Sequence, residues 1–149
     1  AVGEVNVVTK MKETNTVIGG EGNGGVIYPE SHYGRDALVG VGLFLSHFVA
    51  EGKSMTALKA TYPQYFISKN KLTLSPDMDV DKILEGLKKK YASEEITDID
   101  GVKIDFKDGW VHLRKSNTEP IIRIYSESKD EAAANQLAEE VIKVAQSLY

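Results

Sequence analysis

Two Asp-Gly steps, at 100–101 and 108–109, separate three short runs rich in β-branched and aromatic residues: 96–99, 102–106 and 110–113. No other feature narrows the fold as much. Asp-Gly supplies the positive-φ turn that antiparallel hairpins require, and runs of this composition pair across it. Ile121–Ser126 reads as a further strand, and Phe66–Leu74 as another bearing Lys69 and Lys71. Between them, Asp77 or Asp79 caps a helix whose apolar stripe is Val80, Ile83, Leu84, Leu87 and Tyr91. Lys88, Lys89 and Lys90 suit its C-terminal end. Ser128 and Glu131 have capping-box spacing and open a last helix. Its buried side would be Leu137, Ala138, Val141, Val144, Ala145 and Leu148. The expected order over residues 65–149 is β-α-β-β-β-β-α, an antiparallel sheet with two helices on one face.

The first half, 1–64, is less self-sufficient. Residues 2–13 are ambiguous: Val5, Val7 and Val8 favour a strand by propensity, while Val2, Val5, Val8 and Met11 recur at helical spacing. Thr16–Ile18 reads as a short strand running into Gly19–Gly25. Val26-Ile27-Tyr28 reads as a second, stopped by Pro29. Asp36 is placed to cap a helix from Ala37 to Glu51, with Gly52 as its stop. That helix is apolar on nearly every side and should be buried, with Gly40 and Gly42 allowing close packing. Ser54 caps a second short helix ending near Tyr62-Pro63. There are too few strands here to cover the apolar helix.

Composition removes several classes of function. Net charge is −4, so a nucleic-acid binder lacking a basic face is disfavoured. The longest apolar stretch, 37–50, is too short to cross a membrane and is broken by Gly40, Gly42, Ser46 and His47. No basic segment precedes an apolar one, so no secretory signal is evident. The chain has no cysteine, which excludes disulfides and thiol nucleophiles. It begins with Ala1, as expected of a piece cut from a longer protein.

Of 18 Lys and Arg residues only three are arginine: Arg35, Arg114 and Arg123. Two of them flank the loop Arg114–Pro120, which also holds Ser116, Asn117, Thr118 and Glu119. A phosphate dianion needs several donors converging on its oxygens, and two guanidinium groups, two hydroxyls and an amide supply them. If the hairpin is symmetrical about this loop, 112 lies opposite 123 and 114 opposite 121. Both arginines then share a face, and a one-residue slip would undo this. The plain alternative is a polar turn bonded to its own backbone, with Arg123 answered internally by Glu119. His112 could join the same face as a donor, whereas His47 reads as a satisfied core residue. Gly20, Gly22 and Gly25 fit G-x-G-x-x-G, but a strand follows and Glu21 would repel phosphates, so a dinucleotide site is rejected. Glu21 and Asn23 on this slim loop could bond sugar hydroxyls, against the alternative of a merely flexible turn.

Taken together, Val-Gly at 2–3, Met-Lys-Glu at 11–13, Gly-Glu-x-x-Gly at 20–24, Gly-Arg-Asp at 34–36, Asp-Gly-Val at 100–102, Gly-Trp at 109–110 and Arg-x-Ser-Asn-Thr-Glu-Pro at 114–120 resemble the α-D-phosphohexomutase family. That family includes phosphoglucomutase, phosphomannomutase and phosphoglucosamine mutase. The resemblance covers essentially the whole chain and implies its four-domain architecture in part. Residues 1–64 would be the end of the α/β third domain with its sugar-binding loop. Residues 65–149 would be the α+β fourth domain, TATA-binding-protein-like in layout.

On this resemblance Arg114, Ser116, Asn117, Thr118 and Arg123 hold a substrate phosphate, and Glu21 and Asn23 bond the hexose. Asn23 stands where the family usually has Ser. Glu4 and Gly25 stand where some members have histidine, so no proton-transfer role carries over. A helix over 3–13 is implied, against the local β-propensity. The implied reaction interconverts hexose 1-phosphate and 6-phosphate through a phosphoserine and a bisphosphate intermediate, with Mg2+ in the parent enzyme. The Thr-x-Ser-His-Asn nucleophile motif and the Asp-x-Asp-x-Asp-Arg metal loop are not in this sequence. The chain alone is therefore expected to be inactive, with no catalytic or metal residues of its own. Expected partners are a phosphorylated hexose, the N-terminal domains of the same protein and, through the truncated domain, a second copy. Membrane and nucleic acid are not expected, and the implied location is cytoplasmic. The Gly-Glu-Gly-Asn form points towards a bacterial phosphoglucosamine or mixed-specificity mutase. A non-enzymatic phosphosugar-binding module is the alternative of a different class.

Overall fold

The computed structural model describes residues 1–75, 78–116 and 118–148. The chain divides into two compact units, Ala1–Pro63 and Gln64–Tyr149.

The second unit has the order β4 (Phe66–Thr73), α4 (Val80–Lys90), β5 (Glu95–Thr97), β6 (Val102–Phe106), β7 (Gly109–Lys115), β8 (Ile121–Ser128) and α5 (Glu131–Gln146). This is the expected β-α-β-β-β-β-α. The strands form one antiparallel sheet in the order β4-β8-β7-β6-β5. Alternate residues of β6, β7 and β8 are fully enclosed: Val102, Ile104, Val111, Leu113, Ile122 and Ile124. They pack with Ile83 and Leu87 of α4 and Val141 and Ala145 of α5. The period of two in the strands thus meets the 3.6-residue stripe of each helix.

Asp79 caps α4, its carboxylate accepting from the Asp81 and Lys82 N–H groups. The other candidate cap, Asp77, lies outside the described residues. The α5 cap differs from expectation. Asp130 accepts from the Ala133 N–H, while Ser128 is still a β8 residue whose hydroxyl donates to the Asp108 carbonyl at 2.7 Å. Ser128 is taken up by sheet pairing, so the cap falls to Asp130. The β6–β7 turn also differs: Phe106 pairs with Gly109, so the turn residues are Lys107 and Asp108.

The first unit holds α1 (Glu4–Thr14), β1 (Gly19–Gly20), β2 (Val26–Tyr28), β3 (His32–Arg35), α2 (Ala37–Glu51) and α3 (Met55–Lys59). Residues 4–14 are helical despite their valines, with Met11 buried. The strand expected at Thr16–Ile18 forms at Gly19–Gly20 instead, where it pairs with Val26 and Ile27. A Cβ on Gly19 would sit 2.2 Å from the Met11 sulfur, so a larger residue there would force the Met11 side chain to shift. Val17 and Ile18 are left exposed.

Helix α2 begins at Asp36, whose carboxylate accepts from Leu38 and Val39, and ends at Gly52 in the left-handed region. Ser54 caps α3. Gly40 lies against Val26, but nothing approaches Gly42. Helix α2 has no buried residue among those described, and Leu38 and Val49 are 84% and 76% exposed. The shortage of strands expected to leave this apolar helix uncovered has that effect: only β2 and α3 pack against it appreciably within the unit. His47 is correspondingly exposed rather than core, its Nε2 3.1 Å from the Tyr62 hydroxyl.

Candidate functional site

The loop after β7 is closed by its own backbone. The Ser116 N–H donates to the Ile121 carbonyl at 3.0 Å, and the Ile121 N–H to Glu119 at 2.8 Å. Strand β7 therefore runs two residues further than a symmetrical hairpin would allow. Arg114 lies directly opposite Arg123, and His112 opposite Tyr125. The expected register is off by two, an even number, so the inference that both arginines share a face survives.

Arg114 Nη1 donates to Asp100 Oδ2 at 3.3 Å, and Arg123 Nη2 to Glu119 Oε2 at 3.4 Å. Both contacts are long and partly solvated, the kind that contributes little and exchanges readily with a stronger anion. Glu119 is thus the internal partner that the sequence left open. Ser116 is nearly buried, and its Oγ lies 3.4 Å from both the Thr118 N–H and the Thr118 hydroxyl. Arg114 and Arg123 are thus directly opposed, and Ser116 and Thr118 contact each other in the loop between their strands; Asn117 lies outside the described residues. His112 shares the face, but its Nε2 is spent on the Asp100 carbonyl at 2.7 Å. It anchors the β5–β6 turn, whose Asp100 carboxylate in turn orients Arg114.

In the first unit the glycine loop brings Glu21 and Asn23 side by side, with Asn23 Nδ2 3.4 Å from Glu21 Oε2. Glu21 Oε1 accepts from the Gly3 N–H at 2.9 Å, which ties the loop to the start of α1. Asn23 Oδ1 accepts from the Gly25 N–H at 3.0 Å.

A neighbouring recess of about 510 Å³ contains a residue that the site expectations left out, Arg35. Its Nε donates to Glu4 Oε2 at 2.9 Å and its backbone N–H to Glu4 Oε1 at 3.2 Å. These two bonds hold the Glu4 carboxyl below its usual range, the backbone N–H first. A Cβ on Gly25 would sit 2.5 Å from Arg35 Cδ, so the arginine stem covers the bare glycine. The scarcity of arginine and the Gly-Arg-Asp at 34–36 were the signals for it. Beside it Asp36 is held below its ordinary 3.8, first by the Val39 N–H and then by His32. Among the described residues no three His, Cys, Asp or Glu side chains are grouped to hold a metal. No helix among them is long and apolar enough to cross a membrane.

The comparisons fit this division. Residues 1–65 match the family model described as phosphoglucomutase/phosphomannomutase, alpha/beta/alpha domain III. Residues 71–144 match the model described as phosphoglucomutase/phosphomannomutase, C-terminal domain. A phosphoglucosamine/phosphogalactosamine mutase of Sulfurisphaera tokodaii is 39% identical over 145 residues, covering 96% of this chain and 32% of the relative. A phosphoglucomutase/phosphomannomutase of Thermococcus kodakarensis is 41% identical over 145 residues, covering 96% and 31%. A crystal structure of a phosphoglucomutase/phosphomannomutase family protein from Burkholderia thailandensis superposes with a TM-score of 0.71 at 26% identity, covering 97% of this chain and 32% of that one. The chain spans about a third of the length of the curated relatives it matches. With both of its halves matched in order, the chain belongs to the phosphoglucomutase/phosphomannomutase family.

Proposed function

We propose that this chain is the substrate-holding C-terminal part of a phosphohexomutase that interconverts hexose 1-phosphate and 6-phosphate. The observation that carries the reading is the pairing of Arg114 with Arg123 beside Ser116 and Thr118. Two forks and two hydroxyls around one loop suit a dianion, and the weak internal ion pairs are easily displaced by it. Such a site takes the phosphate that is not being transferred. A bisphosphorylated intermediate can present either end to it, which is what turning the sugar around requires. Binding energy gained at this remote phosphate orients the reacting end. Glu21 and Asn23 are the hexose-bonding pair, each able to accept from a hydroxyl and Asn23 also able to donate to one.

The transferring phosphoserine and the magnesium of the reaction belong to motifs outside these residues, so the chain alone binds and does not turn over. The uncovered side of α2 is, on this reading, the seat of further domain III elements in a cytoplasmic full-length enzyme. In their absence a second copy can occupy it.

Titration of the chain with glucose 6-phosphate, followed by amide chemical shifts, tests the proposal. Shifts should concentrate at 114–123, glucose should not reproduce them, and Arg114→Ala should weaken binding at least about tenfold. Equal binding by Arg114→Ala would remove the phosphate-site reading.

A further inference from the structure

Strand β8 lies between β4 and β7, and its Arg123 is directly opposite two residues at once: Arg114 on β7 and Lys71 on β4. The flanking Leu72, Leu113, Ile122 and Ile124 are buried against the helices. Alternation therefore sends Lys71, Arg123 and Arg114 together to the opposite face. Directly opposed residues have Cα atoms only about 4.5–5.5 Å apart. Like charges in that relation weaken a sheet. Here the relation occurs twice in succession, in a chain whose net charge is −4.

The repulsion is only partly relieved. Arg114 has Asp100 and Arg123 has Glu119, each at more than 3.2 Å. The neighbouring cations of this face also have partners. Lys69 lies 5.8 Å from the Tyr125 ring centroid, and Lys103 pairs with Asp105. Lys71 is exposed and has no ion pair among the described residues. The end of β4 is also tied to the phosphate loop, since the Leu74 N–H donates to the Pro120 carbonyl at 2.9 Å.

We propose that Lys71 is a third cationic residue of the phosphate site, completing with Arg123 and Arg114 a cross-strand row that takes a phosphate dianion. The assignment rests on the phosphate-binding reading of the 114–120 loop and adds a residue on another strand to it. The two arginines bring planar forks with acidic partners of their own. Lys71 brings a mobile ammonium whose charge is not neutralised, which favours the dianion over a neutral ligand. In the empty site the row is a source of strain, and the anion relieves it.

The test is titration of the chain with inorganic phosphate, alongside thermal melting in phosphate-free buffer. Lys71→Met should weaken phosphate binding about tenfold, the size of one charge-assisted contact. It should also raise the melting temperature of the empty protein. Lys71→Arg should restore binding, and Lys69→Met should leave it unchanged. Undiminished binding by Lys71→Met, with Arg114→Ala still weak, overturns the assignment and leaves the loop reading standing. A lower melting temperature for Lys71→Met marks a structural lysine and likewise overturns it. If the parent chain does not bind phosphate, or if Arg114→Ala binds as well as the parent, the loop reading falls and the Lys71 assignment with it.

Discussion

Replacing Gly101 with alanine tests how the sheet positions Arg114. Gly101 has φ +76, and a Cβ there would lie 2.1 Å from the Leu113 carbonyl oxygen and 3.0 Å from Arg114 Cα. Both atoms are backbone of a central strand, so no side chain can swing away to make room. The left-handed conformation costs an alanine about 1–2 kcal/mol, and forcing an extra methyl into a packed site costs about 1–3 kcal/mol more. A loss of about 2–5 kcal/mol follows, which in a unit of this size lowers the melting midpoint by at least about 8 °C. Urea unfolding with an unchanged slope would measure it. Gly101→Asn separates the two causes, because Asn tolerates positive φ but carries the same Cβ. It should keep only the packing part of the loss, about 1–3 kcal/mol. A loss below about 1 kcal/mol for Gly101→Ala, or full recovery with Asn, would show that the β5–β6 turn does not press on β7 as described. Phosphate affinity should fall with stability, since Asp100 on the same turn bonds Arg114.

Ile104 is fully enclosed between the sheet and its helices. Ile104→Ala should cost about 2–5 kcal/mol in urea unfolding, and a loss under about 1 kcal/mol would mean the core collapses around the gap. The Asp36 carboxyl is held below 3.8 by the Val39 N–H and His32. Its folded value is the lower one, so its contribution is complete above the unfolded value and is lost as pH falls through the folded one. A carboxyl titration by NMR should place the Asp36 midpoint below 3.8, and a midpoint at or above that value would refute the capping account.

The helices of the second unit were legible in the sequence because each carries one apolar stripe, and a stripe has one way to face a sheet. The capping Asp36 and the stop at Gly52 were legible for a local reason: their bonds reach only a few residues. Ser128 has the spacing of a cap but is not one, because its partner Asp108 is 20 residues away and becomes a neighbour only through the β7–β8 pairing of Gly109 with Ser128. Helix α1 was readable through the family resemblance and not through propensity, which its valines push the other way. Arg35 is not legible as a site residue from its local sequence, because its partner Glu4 lies 31 residues earlier.

The sequence by itself determined the order of the elements in the second unit and the family, but not β3 (His32–Arg35) in the first. The common face of Arg114 and Arg123 follows from it for any even shift of register, because side-chain alternation is unchanged by two residues. Only the tertiary structure decided which residue each arginine meets. Register is set by long-range hydrogen bonds, here the closing bond between Ser116 and Ile121 and the second ladder between β8 and β4. That second ladder, joining strands some fifty residues apart in the chain, is what puts Lys71 beside Arg123.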